Sequence, residues 1–472
     1  MAAWDRRSAA QRTKVQSAAV RRQVVDAVGP FSPWWRARLA DLGRTPFQVA
    51  TPAALAAVPA AGERDVCSDG DPAGAAGLVL QTGETGFALH TEGPRLRQAL
   101  LRRLARPGSY RAIVEAETRP TSFVWAGLGL TFPVASTRGD LDIVARAGSR
   151  LWAVLGLGAA DVLVAGLDQQ ETAAVQALRL AALGAGAPAL WAGPDAADLS
   201  ASLRLVPATV LALDAAVAAE RLDDLDEAGV ALGGIRTLLL VGAPGPDERL
   251  AVQDALVRAG IDSTCVALAV HVPDGHRLMW GECRAGGAEA GLHTYPDLEL
   301  VQGVDPETGE ASVDERPREL VVTQLGLRGS ALLRWRTADV VDAITGKPCP
   351  GCGRTVPRVL GTRRAALVPA VRLRGGSRRV DLRAVASTLV GRPDLSDWRV
   401  VVDTSARDGA EEILVHLAPE PGTDQADLAV NVARDLRAGA GMLPTQVVVS
   451  EPGELPSGRW GLSERLLVRA GG

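Results

Sequence analysis

The sequence predicts an α/β fold, with a large N-terminal layered α/β domain that includes a β-rich subdomain and a small C-terminal α+β domain. Between residues 140 and 259, short apolar segments alternate with helical segments of about 10 to 15 residues, which is typical of a parallel sheet with helical crossovers. Strand-like segments joined by turns occupy residues 292–340, and a compact mixture of strands and helices follows Gly361. These changes of pattern predict two domains, 1–361 and 362–472.

The individual elements follow from hydrophobic periodicity and from turn residues. Apolar positions three and four apart predict a helix, a turn and a second helix over residues 15–45, and Thr51-Pro52 is a weak helix start. Residues 74–90 predict a strand, a Gly/Thr loop and another strand. In the alternating region we predict strands 161–165, 187–191, 208–213 and 237–241 and helices 140–155, 171–183, 195–203, 215–224 and 246–259. After Gly361 we predict strands 370–373, 398–402, 412–417 and 446–449 and helices 380–390 and 424–438.

Composition and charge exclude several classes of function. The 472-residue chain is long enough for more than one domain with its own core. A net charge of −4 and a pI near 5.9 argue against binding to nucleic acid or to an anionic membrane. No apolar run reaches the roughly 20 residues of a transmembrane helix, and the N-terminal segment lacks the apolar centre of a secretory signal. Five cysteines at irregular spacing do not suggest a disulfide framework, so we expect a reduced, cytoplasmic protein.

Four side chains predict a metal site. Cys349 and Cys352 form a Cys-x-x-Cys on a Pro/Gly turn, and Cys283 and His293 come from a separate segment. Three thiolates and one imidazole suit tetrahedral Zn²⁺, and four protein ligands leave no open position, so the role would be structural. The alternative is a reduced Cys-x-x-Cys with an unrelated buried Cys283. The other histidine pair of this region, His271 and His276, has no accompanying cysteines, and we expect both to be loop residues.

Short motifs spread over most of the chain occur in an order that points to one family. They are Phe-Ser-Pro-Trp-Trp-Arg at 31–36, Gly-Glu-Cys at 281–283, Gly-Leu-His at 291–293, Asp-Pro-Glu-Thr-Gly at 305–309, Glu-Leu-Val-Val-Thr at 319–323, Arg-Trp-Arg-Thr-Ala-Asp at 334–339, Cys-Pro-Gly-Cys-Gly-Arg at 349–354 and Arg-Gly at 374–375. In this order they resemble the phenylacetate–CoA ligase branch of the adenylate-forming synthetase superfamily.

The resemblance implies a fold and a reaction. The fold is a large N-terminal domain with layered α/β subdomains and a small C-terminal α+β lid. In the reaction, the carboxylate of a small acid, aromatic or of another kind, attacks the α-phosphate of ATP, with Mg²⁺, and gives an acyl-adenylate. The acyl group is then transferred to CoA or another acceptor. The family places the same four metal-ligand types in the same segments, which favours the structural zinc. The implied ligands are thus a small acid and a nucleotide, and a protein partner or a homodimer stays open.

The resemblance also implies nucleotide-binding residues. The Asp of the family's Arg-Thr-Gly-Asp motif, which binds the ribose, corresponds to Asp339, in a context kept by Arg336 and Thr337. The other implied residues are Thr82, Gly83, Thr85 and Gly86 of a phosphate loop, Gly242 of a loop after a strand, and Arg374 after the hinge. For the phosphate loop, an ordinary Gly-rich hairpin is the alternative, because Glu84 would place a negative charge beside a polyphosphate.

One departure from the family bears directly on activity. The chain has only two lysines, Lys14 and Lys347, so the C-terminal lysine that contacts the α-phosphate in the family is missing. Leu462 falls at or near its position. Arg459 or Arg465 could offer charge, with Arg459 as the candidate, but an arginine is a weak substitute because a guanidinium differs from a compact ammonium. Two readings therefore remain: a divergent adenylate-forming ligase, and a catalytically degenerate homologue that acts as a scaffold or ligand-binding protein.

Overall fold

A computed structural model describes most of the chain. The described residues are 3–66, 72–81, 101, 104, 119–126, 132–168, 172–261, 263–305, 309–310, 318–364, 367–373, 376–381, 385, 388–389, 392–403, 412–439, 442–450, 455 and 466–469. The chain forms two compact units. The larger comprises 1–61, 75–126 and 133–363, and the smaller comprises 62–74, 127–132 and 364–472. Among the described residues, no helix is both long enough and apolar enough to cross a bilayer.

A nine-stranded mixed sheet forms the centre of the larger unit. Its order is β13-β14-β9-β8-β7-β6-β5-β3-β4, and β3 to β7 are parallel to one another. The strands are β3 Leu163–Gly166, β4 Ala189–Trp191, β5 Val210–Asp214, β6 Thr237–Val241, β7 Val266–His271, β8 Trp280–Gly281, β9 Leu292–His293, β13 Ala343–Thr345 and β14 Arg358–Leu360. Because β3, β5 and β6 are buried on both faces, their side chains are almost all apolar.

Helices cover both faces of this sheet, which explains the predicted alternation. The helices of the larger unit are α1 Ala9–Gln23, α2 Gly29–Phe31, α3 Pro33–Asp41, α4 Pro52–Ala56, α6 Arg138–Leu155, α7 Ala173–Ala185, α8 Ala196–Leu205, α9 Ala218–Glu227, α10 Pro246–Arg258 and α11 Gly287–Ala290, while α5 Glu63–Val66 belongs to the smaller unit. The packed core against α6 and α7 is separate from the core against α8, α9 and α10. Thr137 and Asp140 cap α6 reciprocally, and left-handed Gly156 ends it.

A small antiparallel sheet accounts for the predicted β-rich region. Its long strands are β10 Glu299–Val304, β11 Arg318–Gln324 and β12 Trp335–Val341, and the two-residue strand β15 Arg363–Arg364, which begins at the last residue of the larger unit, is the next in the order. A separate two-stranded sheet contains β1 Pro120–Ala126 and β2 Phe132–Thr137. The residues of β12 alternate between buried and half-buried, so Thr337 and Asp339 point into the protein interior.

The smaller unit has its own α+β core. Strands β18 Leu395–Asp403, β19 Glu412–Pro419, β20 Gln446–Val449 and β21 Leu466–Arg469 form a sheet in the order β20-β19-β18-β21, helix α12 is Gln425–Gly439, and β16 Leu367–Leu373 pairs with β17 Gly376–Asp381. Arg392 binds the carboxylates of Asp394 and Asp435. These hydrogen bonds to Arg392 lower the pKa of Asp394 and of Asp435.

Three local predictions were wrong. A 3₁₀ helix, Pro72–Leu78, occupies most of the first strand predicted within residues 74–90, and only Val79 makes an isolated bridge, to Ser330. The helix predicted over residues 380–390 begins too early, because Val380 and Asp381 end β17. His271, which was expected in a loop, ends β7, whereas His276 does lie in a loop; both side chains are about 1% exposed.

Candidate functional site

A cavity of about 320 Å³ lies on the sheet beside the first turn of α10. Its wall contains the loop after β6, which begins at Gly242, and residues of β7, β9 and β14. The full lining is Gly242, Ala243, Pro244, Gly245, Pro246, Arg249, Ala269, Glu282, Ala288, Gly291, Leu292, Asp342, Val359, Gly361 and Thr362. The carboxyl ends of parallel strands are where open α/β sheets bind ligands, and the Gly242 loop follows directly from such an end.

Gly242 adopts a backbone conformation that favours glycine. Its φ angle is +132°, and its N–H donates to the carbonyl of Val270 at 2.8 Å. The following loop reaches Gly245, whose N–H is capped by the carboxylate of Glu248 at the start of α10. A strand followed by a glycine and a helix-capping turn therefore determines one wall of the cavity.

An ion pair provides most of the polar character of the cavity. The guanidinium of Arg249 binds Glu282, with Nη2–Oε1 at 2.6 Å and Nη1–Oε2 at 3.3 Å. The second oxygen of Glu282 also accepts the N–H of Ala269 at 2.8 Å. The pair is neutral as a unit, and Asp342 adds a further carboxylate.

Asp339, the predicted ribose anchor, is completely buried. Its Oδ2 lies 2.7 Å from Nε2 of His271, and the side chains are 0% and 1% exposed. Within the described part of the chain its Oδ1 has no hydrogen-bond partner. Ala338 before it has φ of +53°, a strained value for a residue with a Cβ atom. A ribose hydroxyl would reach this carboxylate only after a local rearrangement.

Other predicted nucleotide residues have different partners. Arg336 forms a bidentate pair with Glu319, with Nε–Oε1 at 3.1 Å, and the Thr337 hydroxyl donates to the carbonyl of Leu320 at 2.9 Å. Arg336, Thr337 and Asp339 do not line the cavity. Among the predicted nucleotide-binding residues that the structure describes, Gly242 is the one that lines it. The remaining predicted residues, Thr82, Gly83, Thr85, Gly86, Arg374 and Arg459, lie outside the described residues.

The four predicted metal ligands meet in one cluster. The ligand atoms of Cys283, His293, Cys349 and Cys352 all lie within 4.8 Å of one another. Sγ of Cys283 is 3.6 Å from Sγ of Cys349, and Sγ of Cys352 is 3.3 Å from Nε2 of His293. A tetrahedral zinc ion with Zn–S bonds of about 2.3 Å places its ligand atoms about 3.5 to 3.8 Å apart. The donor set and the spacing therefore fit zinc.

The surroundings of the cluster are those of a structural site. Nδ1 of His293 lies 3.3 Å from the carbonyl oxygen of Gly281, which leaves Nε2 to face the sulfur atoms. Burial, aided by the neighbouring thiols, raises the pKa of Cys283 to about 12. Burial also acts to raise the pKa of Cys349 and of Cys352. Hydrogen bonds from backbone N–H groups lower the pKa of Cys349 on balance, and hydrogen bonds with His293 and with a backbone N–H group lower that of Cys352.

Sequence reasoning did not identify several residues of the cavity or its vicinity. Arg249, Glu282 and Asp342 line the cavity, and His271 pairs with Asp339. The available signals were weak: Glu282 precedes a metal ligand, and Arg249 is a polar residue in the first helical turn. No periodic pattern shows that such residues meet, because their contacts join distant parts of the chain.

Comparison with known proteins adds evidence on the fold. No family model matches the chain, and no curated protein sequence does so. Among solved structures, 2-hydroxyisobutyryl-CoA ligase in the postadenylation state with 2-HIB-AMP matches with a TM-score of 0.61 and 16% identity, over 98% of this chain and 90% of that one. The same ligase with 2-HIB-AMP and CoA in the thioesterification state matches with a TM-score of 0.59, 16% identity and the same coverage.

The chain has the adenylate-forming ligase fold. A third structure of that ligase, an open conformation with 2-HIB-AMP and CoA, agrees, with a TM-score of 0.59 and 16% identity over 96% of this chain and 91% of that one. The predicted α/β class and the fold that the resemblance implied are thus confirmed, as is a large N-terminal part with a smaller C-terminal part. At this identity the likeness concerns the fold, and activity has to be argued from the site.

Proposed function

We propose that this chain activates a small carboxylic acid with ATP. The observation that carries the proposal is the adenylate-forming fold, which extends over 98% of the chain, combined with a cavity beside the Gly242 loop. The solved structure of 2-hydroxyisobutyryl-CoA ligase, which has this fold, is a complex with 2-HIB-AMP and CoA. The acid would form an acyl-adenylate, and CoA or another acceptor would then take the acyl group.

The cavity is proposed to bind the uncharged base of the nucleotide. The Arg249–Glu282 pair is neutral as a unit, so it offers no net positive charge to a phosphate. Leu292 and Val359 offer apolar contact area for a planar ring. The phosphates would therefore extend out of the cavity, towards a site for which Thr82, Gly83, Thr85, Gly86 and Arg374 remain proposed ligands.

The proposed chemistry is a displacement at phosphorus. A carboxylate oxygen of the acid attacks the α-phosphate, the bond to the β-phosphate oxygen breaks, and pyrophosphate leaves. Mg²⁺ would supply charge neutralisation on the phosphates when bound. Arg459 is the proposed cation at the α-phosphate in place of the missing lysine. Its planar, delocalised charge supports this role less well than an ammonium, so we expect slow adenylation.

A structural zinc is proposed at Cys283, His293, Cys349 and Cys352. The described thiols are free, and the ligand atoms have the spacing of a closed tetrahedral site. We expect about one zinc per purified chain. Metal analysis that finds less than about half a zinc per chain, without chelator treatment, would contradict this assignment.

A second candidate is a non-catalytic homologue that binds a ligand or a protein partner, such as another copy of itself. The specific observation in its favour is the burial of Asp339, whose carboxylate binds His271 and is 0% exposed. The absence of any lysine after Lys347 points the same way. Under this alternative the fold and the metal cluster would persist without adenylation.

Exchange of labelled pyrophosphate into ATP separates the two candidates. We would assay the zinc-loaded protein with a panel of aryl acids and small aliphatic hydroxy acids. The proposal predicts acid-dependent exchange that falls by about a hundredfold in Arg459→Ala, the loss typical of removing one transition-state donor. Arg437→Ala, which removes an exposed arginine of α12, is the matched control and should retain exchange. No exchange with any acid, together with no ATP binding by calorimetry, would overturn the ligase and favour the second candidate.

A further inference from the structure

The metal cluster and the cavity share one wall. Glu282 and Cys283 are consecutive residues, and so are Leu292 and His293. The first residue of each pair lines the cavity, and the second belongs to the metal cluster. Consecutive side chains of an extended backbone point to opposite faces, so this segment presents ligands on one side and cavity wall on the other.

Strand β14 repeats this arrangement. In the β9–β14 pair, Val359 lies opposite Leu292 and Arg358 lies opposite His293. Val359 lines the cavity, whereas the guanidinium of Arg358 donates to the carbonyl of Ala290, a residue packed within the metal cluster. The wall between the two sites is therefore a single layer of backbone.

Few backbone pairings join β8 to β9 within this wall. Strands β8 and β9 contain two residues each, and they pair with each other through Gly281 and His293. The Cys-x-x-Cys turn packs against the wall so closely that a Cβ atom on Gly351 would lie 2.6 Å from the backbone nitrogen of Gly286. Contacts between thiols are weak hydrogen bonds, so a metal ion would be the strong crosslink across these segments.

We propose that metal occupancy of the Cys₃His cluster fixes the geometry of the cavity, and that ligand binding in the cavity is therefore metal-dependent. Cys283 and His293 act as positioning residues for Glu282 and Leu292. The inference rests on the zinc assignment of the proposed function. It does not depend on the identity of the cavity ligand.

Hydrogen–deuterium exchange on the full chain tests the coupling without any ligand. We would compare zinc-loaded protein, protein stripped with a strong chelator, and stripped protein resupplied with Zn²⁺. The amides of residues 280–294 should exchange about tenfold faster or more after stripping, and Zn²⁺ should restore their protection. Peptides from β18 and β19 of the smaller unit are the control and should not change. Unchanged exchange at 280–294, or an equal increase in the control peptides, would overturn the proposal.

Ligand affinity provides the second readout, with ATP as the probe. Stripped protein and Cys352→Ser, which removes the half-exposed ligand, should bind ATP about tenfold more weakly, in the range found when metal-site support is lost. Cys265→Ser removes a thiol outside the cluster and should bind like wild type. Equal affinity with and without zinc would overturn the proposal. If zinc-loaded protein binds no ATP, the proposed nucleotide function fails, and the exchange experiment alone decides the metal coupling.

Discussion

Replacement of Arg277 by methionine gives a demanding test of the architecture around the site. This side chain is 2% exposed, and its guanidinium joins four segments of the larger unit. It donates to the carbonyls of Ala135 at 2.6 Å and Ser330 at 2.7 Å, to Oε1 of Gln324 at 3.1 Å and to Asp140 at 3.2 Å. Burial lowers the pKa of Arg277, and the negative charge of Asp140 opposes that effect.

Arg277→Met should lower the free energy of unfolding by about 3 to 5 kcal/mol, the usual cost of breaking a buried ion pair by removal of one partner. Asp140 keeps backbone N–H donors from Thr137, Arg328 and Gly329, so we expect the variant still to fold. Urea denaturation measures the difference. Arg146→Met, on the exposed side of α6, is the matched control and should stay within about 0.5 kcal/mol of wild type. A loss below about 1 kcal/mol for Arg277→Met would refute this reasoning.

Three further predictions concern the metal cluster, the buried His271–Asp339 pair and the smaller unit. Gly351→Ala should reduce zinc affinity about tenfold in a competition assay because its Cβ would meet backbone, whereas Gly158→Ala, which has nothing within 4 Å, should bind zinc normally. His271→Ala should lower the free energy of unfolding by about 3 kcal/mol because it leaves Asp339 buried and unpaired; urea denaturation equal to wild type would contradict this. Arg392 lowers the pKa of two aspartates, so its contribution to stability is present above the unfolded-state pKa of about 4 and is lost as the pH falls below it. Arg392→Gln should therefore be less stable than wild type at pH 7 and equally stable near pH 2, and a constant difference between these pH values would argue against the pairing.

Local pattern predicted the layered part of the fold well. Strands such as Thr237–Val241 are buried on both faces and are therefore short apolar segments, which alternate with the helices in a pattern visible in the sequence. The wrong predictions fall where tertiary contacts override such a local pattern. The strand predicted near residue 74 is a 3₁₀ helix, and Val380 belongs to a strand because it pairs with Val368.

The two candidate sites differ in how well they could be predicted from the sequence. The metal ligands could be predicted because cysteine and histidine have few roles at such spacing, and all four meet in the structure. The cavity could not be predicted, because Arg249 and Glu282 are 33 residues apart and the Gly-Glu-Cys motif that contains Glu282 does not indicate that the two side chains meet. The same holds for His271 and Asp339, 68 residues apart, whose pairing buries the predicted ribose anchor.

The most direct test of the central claim, that the cavity beside the Gly242 loop binds ATP, is calorimetry on three zinc-loaded proteins. Ala288 lines the cavity and is exposed, so Ala288→Trp would fill the cavity without disturbing the core, while Glu289→Trp places the same bulk on a neighbouring exposed residue outside the lining. We predict that wild type and Glu289→Trp bind ATP alike and that Ala288→Trp binds about tenfold more weakly or worse, a loss of at least about 1.4 kcal/mol. Equal affinity in all three proteins, or no ATP binding by wild type, would contradict the claim.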